Sequence, residues 1–249
     1  MKTRRIEEIK TLTYRLGSIT LDELCDIFDV SKNTIRRDVN LLEEEGSIAK
    51  VYGGIKAKDT ELLPFQQRSV KNNTAKMRIG KIASRFIEEN DIIFIDSGTT
   101  TSHIMDSFPK DLHCTILTNN FDVIEQCTLL PNVSLYVLGT FYKHKTRSFI
   151  NRDGLVDLGN YYITKAFMSS TGLSLKGVTN ADPLEHIIKS AVCERADEII
   201  LMVDSSKYGK PTLLTYSKLE DINKLITDTQ PSEEYTKFFR EHDVEVYTE

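Results

Sequence analysis

The chain lacks what would place it in a membrane or carry it across one. No window approaches eighteen consecutive apolar residues, so no transmembrane helix is expected. The start, MKTRRIEEIK, has basic residues with no apolar run behind them. That argues against a secretory signal and predicts a cytoplasmic protein without membrane partners. Cysteine is sparse: Cys25, Cys114, Cys127 and Cys193 are far apart, with no C-x-x-C pair. This spacing supports neither a disulfide framework nor a zinc cluster, and predicts small buried thiols in reducing surroundings. His103, His113 and His186 have no ligand-like spacing, so no metal is assigned. Excess positive charge is missing too. The net charge of −5 argues against a general nucleic-acid binder. Its distribution is uneven: residues 1–58 hold 11 Lys and Arg against 10 Asp and Glu, a net of +1, and the remainder carries −6.

What is present is patterned. A length of 249 residues, 40% hydrophobic and 28% charged, fits a globular chain of two domains. Ile6, Ile9, Leu12 and Leu16 recur at helical spacing, and Gly17 ends that helix. Thr20 and Glu23 form a capping box before a helix whose apolar face is Leu21, Leu24, Cys25 and Phe28. After a short turn, Ser31 caps a third helix. Ile35, Val39 and Leu42 face inward, leaving Lys32, Asn33, Thr34, Arg36, Arg37 and Asn40 outside until Gly46 stops the helix. A strand over 48–52, the tight turn Gly53-Gly54 and a return strand over 55–58 complete the pattern.

Three helices and a hairpin predict a winged helix-turn-helix over 1–58, with the motif itself at 20–39. Such a helix reads base edges from its N-terminal turns, here with Asn33, Thr34, Arg36 and Arg37. Ser31 and Lys32 are placed to hold phosphates, Asn40 lies on the same DNA-binding face, and the wing adds Lys50, Tyr52, Lys56 and Lys58. The competing reading is a three-helix protein-interaction domain with a solvated basic face. The length of the turn, the S-x-x-T-I-R-R run and the Gly-Gly wing favour double-stranded DNA.

Residues 59–74 read as a linker, followed by a helix over 76–89 with Asn72, Asn73 and Thr74 as cap residues. Beyond it, apolar runs at 92–95, 114–117, 133–138 and 199–203 alternate with helical stretches at 121–129 and 183–195 and a long polar loop after 138. This predicts a Rossmann-like α/β domain over 75–249, its parallel sheet covered on both faces. Ligands bind such sheets at strand ends. Asp96, Ser97, Gly98, Thr99, Thr100 and Thr101 follow the first strand. A tight turn, helix-start N–H groups and hydroxyls there make an anion cradle, and Asp96 can accept from sugar hydroxyls. The bland alternative is an N-cap with extra threonines. Asn119, Gly139 and Lys207 lie at other strand ends. Glu185 and Lys189, spaced i, i+4, read most simply as a helix-surface ion pair of about 0.3–0.5 kcal/mol. Lys143, His144, Lys145 and Arg147 read as a solvated run.

The run EEIKTLTYRLGSITLDELCDIFDVSKNTIRRDVNLLEEEG…VYGG resembles the reading head of the DeoR family of bacterial transcription regulators. It departs from the family pattern at Val39, where Leu is usual, and at Tyr52, where His is usual. The resemblance continues in IIFIDSGTTT, TILTNN, AFMSSTGLSLKGVTNADPLEHIIKSAV, MVDSSKYG and LEDINKLITD, and covers almost the whole chain. It implies a sensor domain similar in fold to sugar-phosphate isomerases and binding a phosphorylated sugar or polyol. The effector contacts it implies are residues 96–101 with Asn119, Gly139, Glu185, Lys189 and Lys207. Thr140 and His186 depart where Gly and Ala are common, which bears on which sugar fits. The expectation is therefore a homo-oligomeric (dimer or tetramer) repressor of a carbohydrate-use operon, with no cofactor and no catalysis. Two alternatives remain: a sugar-phosphate isomerase using Asp96, Glu185 and Lys207, and a ligand-dependent activator.

Overall fold

The structure, a computed structural model, describes residues 2–16, 18–44, 48–57, 63–151 and 158–248. Gly17 and Gly46 as helix stops, and Lys58 in the wing, lie outside the described residues. The chain divides into two compact units, Met1–Leu62 and Leu63–Glu249. No helix among the described residues is long and apolar enough to cross a membrane.

The first unit runs α1 (Lys2–Leu16), β1 (Ser18–Thr20), α2 (Leu21–Phe28), α3 (Lys32–Glu44), β2 (Ile48–Val51) and β3 (Gly54–Ala57). The capping box forms: Glu23 N–H donates to Thr20 Oγ1 at 3.2 Å, and Thr20 N–H to Glu23 Oε2 at 2.8 Å. Asp29 ends α2 in the left-handed region (φ 48°), which turns the chain into α3. Ile9, Leu24, Ile35, Val39, Leu42, Ile48 and Ile55 are buried together. The wing has a third strand that the hydrophobic pattern did not reveal. β1 pairs antiparallel with β3, because three residues, one of them apolar, carry too little periodicity to register.

The second unit opens with α4 (Phe65–Val70) and α5 (Asn73–Ala83), which a 3-10 turn, Ser84–Phe86, extends. The span 59–74 therefore carries a helix, and the helix expected at 76–89 is shorter and earlier. Asn72 precedes α5 without a side-chain cap bond; its Nδ2 donates to Asp204 instead, at 2.9 Å. Next come β4 (Ile92–Ile95), a 3-10 helix (Thr101–Ser107), β5 (Cys114–Thr118), α6 (Phe121–Cys127) and β6 (Val133–Val137). The long polar loop expected after 138 holds a hairpin, β7 (Phe141–Lys143) with β8 (Ser148–Ile150). Then follow β9 (Ile163–Ser169), β10 (Gly172–Ser174), β11 (Gly177–Asn180), α7 (Pro183–Cys193), β12 (Ala196–Met202), β13 (Leu214–Ser217), β14 (Lys224–Ile226), α8 (Glu233–Glu241) and β15 (Glu245–Tyr247).

Seven strands form one parallel sheet in the order β15-β14-β12-β9-β4-β5-β6. Side chains alternate between its faces. Ile93, Ile95, Phe167, Ile200 and Met202 pack on one side with Ile79 and Ala83 of α5 and Val123 of α6. Phe94, Ala166, Met168 and Leu201 pack on the other with Ile188 and Val192 of α7 and Phe239 of α8. From β4 the chain winds outward through β5 and β6, then returns at β9 and winds the other way. The crevice between the ends of β4 and β9 is thus the topological switch point, where open α/β sheets bind ligands.

Asp38 is 1% exposed and accepts from Arg5 Nε at 2.7 Å. Asp38→Ala leaves Arg5 without that partner, and should lower the unfolding free energy of the full chain by about 1–3 kcal/mol in a urea melt. A loss under about 0.5 kcal/mol would reduce the pair to surface status.

Candidate functional site

The exposed face of α3 is set by its buried one. Ile35, Asp38, Val39 and Leu42 point inward, so Lys32, Asn33, Arg36, Arg37 and Asn40 stand in solvent, with Thr34 half-buried. Ser31 starts the helix, accepting from Thr34 N–H at 3.3 Å. Among the described residues nothing engages Arg36 or Arg37. Lys32 is paired with Asp22 at 2.6 Å, and Lys50 with Glu43. Such exposed pairs are worth about 0–1 kcal/mol, so a phosphate can displace them cheaply. Tyr52, at the wing tip beside Gly53 (φ +77°), is fully exposed, and Lys56 is exposed on β3. Sequence reasoning missed the inward turn of Asp38. The signal was its place at i+3 from Ile35, on the buried stripe.

At the switch point, Asp96 follows β4 and is 1% exposed. Its Oδ2 accepts from Ser169 N–H at 3.0 Å, from the Ser169 hydroxyl and from Lys189 Nζ. Lys189 also donates to Ser169 O at 3.0 Å and lies 5.3 Å from the Tyr216 ring centre. Asp96 Oδ1 is buried and has no partner. Glu185 and Lys189 are thus no surface pair. Both are buried, and each reaches across the crevice to a different group. Glu185 Oε1 accepts from Ser97 Oγ at 2.9 Å and Ser148 Oγ at 2.8 Å. Burial, then Asp182, pushes its carboxyl above the usual carboxylate range.

The loop after β4 is built more tightly than a simple cradle. A Cβ on Gly98 would sit 2.0 Å from Ser169 Oγ, so only glycine lets the loop lie against β9. The Thr101 hydroxyl turns inward, donating to Asp96 O at 2.6 Å, while Thr99 and Thr100 are buried nearby. A 3-10 helix follows where an α-helix start was expected. Asn120, which the sequence did not single out, is fully buried and donates to Asp96 O at 3.1 Å. Its neighbour Asn119 donates to Phe149 O at 3.2 Å and leaves Oδ1 buried and unpartnered. Gly139 (φ +98°) is held by packing: a Cβ there would lie 2.6 Å from Phe149 carbonyl carbon. The basic loop is not simply solvated, since Lys143 pairs with Asp182 and Arg147 Nε with Asp122 at 2.9 Å. Lys207 lies half-buried in a 3-10 turn after β12, its ammonium pushed down by burial.

Two cations from the start of this unit join the cluster. Arg68 of α4 feels Glu185, Asp96 and Asp182, though burial lowers its pKa. Lys76 of α5 is 4% exposed and donates to Arg68 O. An open groove of about 700 Å³ beside α4 shares only Thr99 with the loop and none of the unpartnered carboxylate or amide oxygens. The converging polar atoms, not this groove, define the candidate site.

Burial pushes Lys76 down from 10.5 to about 8. Between those values the unfolded chain binds more protons than the folded one, so Lys76 contributes stability that grows as pH rises. The unfolding free energy of the natural chain, relative to a Lys76→Met variant, should rise by about 1–3 kcal/mol between pH 8 and 10. A flat difference would remove Lys76 from the buried cluster.

Comparison with known proteins agrees with both halves. Residues 5–61 match the DeoR-like helix-turn-helix domain, and residues 71–229 the DeoR C terminal sensor domain. The chain is 45% identical over 249 residues to the HTH-type transcriptional regulator IolR of Bacillus subtilis, covering 99% of each. It is 26% identical to the HTH-type transcriptional repressor GlcR of the same organism, covering 92% of this chain and 89% of that one. Ribose 5-phosphate isomerase A of Methanocaldococcus jannaschii aligns at a TM-score of 0.41 and 15% identity, over 55% of each chain. The chain belongs to the DeoR family of helix-turn-helix transcription regulators.

Proposed function

We propose that this regulator represses a carbohydrate-use operon from the cytoplasm, as a homo-oligomer, and leaves its operator when a phosphorylated sugar or polyol binds the second unit. The observation that carries the effector reading is two buried acceptors without a hydrogen-bond partner among the described residues, Asp96 Oδ1 at the end of β4 and Asn119 Oδ1 at the end of the adjacent β5. A buried acceptor without a donor costs about 1–3 kcal/mol, and adjacent hydroxyls on one ligand would satisfy both. Arg68, which feels the Asp96 charge, and Lys207, which feels Arg68, supply cations that suit an anionic group on the same ligand. Hydroxyls at one end and an anion at the other describe a phosphorylated polyol or sugar.

GlcR is a repressor by name, which supports that sign for this chain. For DNA, Asn33, Thr34, Arg36 and Arg37 would read the major groove, while Ser31, Lys32, Asn40, Lys50, Tyr52 and Lys56 hold the backbone. An isomerase would need a free carboxylate base beside the substrate carbons. Here the Asp96 charge is held by Lys189 through Oδ2 and Glu185 accepts from two hydroxyls, and a reading head has no use in such an enzyme.

The test is fluorescence anisotropy with DNA from upstream of the protein's own gene, at two salt concentrations, with and without a panel of sugar and polyol phosphates. Release by one compound is expected. Arg36→Ala with Arg37→Ala should weaken operator binding at least tenfold, given about 1–3 kcal/mol for each good base contact. Unchanged affinity would take α3 out of the reading role. Binding that requires a compound would reverse the sign.

A further inference from the structure

Resting on that effector reading, we propose that Arg68 binds the anionic end of the effector directly, so that α4, the first helix after the reading head, is held according to effector occupancy. Helix α4 starts at Phe65, and the second unit itself begins at Leu63. It is six residues long, far too short to be stable by itself. Three anchors fix it: the buried Phe65 side chain, the Phe65 N–H donating to Lys145 O at 2.9 Å, and Lys76 Nζ donating to Arg68 O.

Arg68 is the residue of α4 that faces the chemistry. Its Nε donates only to Leu63 O, at 2.9 Å, and its guanidinium lies 5.6 Å from the Phe65 ring centre. Nη2 is buried with no hydrogen-bond partner. Asp96, Glu185 and Asp182 are near enough to stabilise the charge, yet no ion pair among the described residues joins any of them to Arg68. Asp96 is taken by Lys189, Asp182 by Lys143, and Glu185 by the Ser97 and Ser148 hydroxyls.

Asp96, Glu185 and Asp182 stabilise the charge on Arg68, and that charge is in turn felt by Lys76 and Lys207. A ligand with hydroxyls for Asp96 Oδ1 and Asn119 Oδ1, and an anion for Arg68 and Lys207, matches these groups. Arginine with a free N–H edge is suited to phosphate oxygens, which it can bind with two parallel donors. The anion would add a fourth anchor to α4, one present only with effector bound. By linkage, that difference is what lets occupancy bias the chain between two states.

The experiment uses the full chain with inorganic phosphate, ribose 5-phosphate, fructose 6-phosphate and glucitol 6-phosphate as probes. Affinity is measured by calorimetry for the natural chain, Arg68→Gln and Arg68→Lys, and operator affinity by anisotropy. Amide hydrogen exchange of residues 65–70 is followed in the natural chain, which needs no variant to fold. We expect at least one sugar or polyol phosphate to bind the natural chain. Arg68→Gln should bind it at least tenfold more weakly and Arg68→Lys to an intermediate degree, and Arg68→Gln should require at least tenfold more of it to leave the operator. Exchange at 65–70 should slow at least fivefold with the probe. Equal probe affinity for Arg68→Gln, or unchanged exchange at 65–70, overturns the role of Arg68 while leaving the sensor reading intact. No binding of any probe to the natural chain overturns the sensor reading and this inference with it.

Discussion

The second unit depends on one buried ion pair, Lys189 with Asp96. Both side chains are almost wholly removed from water, at 3% and 1% exposure. Two charges taken out of water are tolerated only when they are paired and their remaining valences are met. Ser169 meets several of them, with its N–H and hydroxyl on Asp96 and its carbonyl on Lys189. The network fastens α7 to the ends of β4 and β9, where the direction of winding reverses. It also fixes which carboxylate oxygen is spent. Oδ2 takes all three donors, and Oδ1 is left without one.

That arrangement leaves some polar atoms spent on structure and others without a partner among the described residues. Gly98, Thr101 and Asn120 hold the loop in shape, while Asp96 Oδ1 and Asn119 Oδ1 remain available. A site preorganised in this way loses little entropy on binding, because its polar groups are already fixed. The first unit is arranged differently. The basic side chains of its α3 and wing, Lys32, Arg36, Arg37, Lys50 and Lys56, are exposed and, among the described residues, either unpaired or in cheap surface pairs, as suits a partner whose attraction is electrostatic and salt-dependent.

Local patterns made the first unit legible. The capping box, the Ser31 cap and the i, i+4, i+7 stripe of α3 are decided by residues close in sequence, and the structure places them as the pattern indicates. The second unit was legible at its apolar strands and less so elsewhere. β9 is central, yet its sequence ITKAFMS interrupts the apolar run with Thr164 and Lys165. Those residues serve a partner distant in sequence: Thr164 accepts from Ile92 N–H and Lys165 reaches Asp91. β14 and β15 are three residues each, too short for a period to show. The loop after β4 was recognisable by its glycine and hydroxyls. Ser148, Ser169, Arg68 and Asn120 were not, because each enters the site from a separate element through tertiary contact alone. The same cause misplaced Glu185 and Lys189 as a surface pair: their i, i+4 spacing is real, but each has a better partner across the crevice.

We propose that filling the switch-point site and binding operator DNA are thermodynamically linked. The most direct measurement is the affinity of an effector phosphate for the full chain twice, once free and once saturated with operator. A repressor released by its effector requires weaker effector binding on DNA, by the same factor that the effector weakens operator binding, typically about 5–150-fold. Equal effector affinity in the two states would contradict the account, leaving a site with no means of informing the reading head.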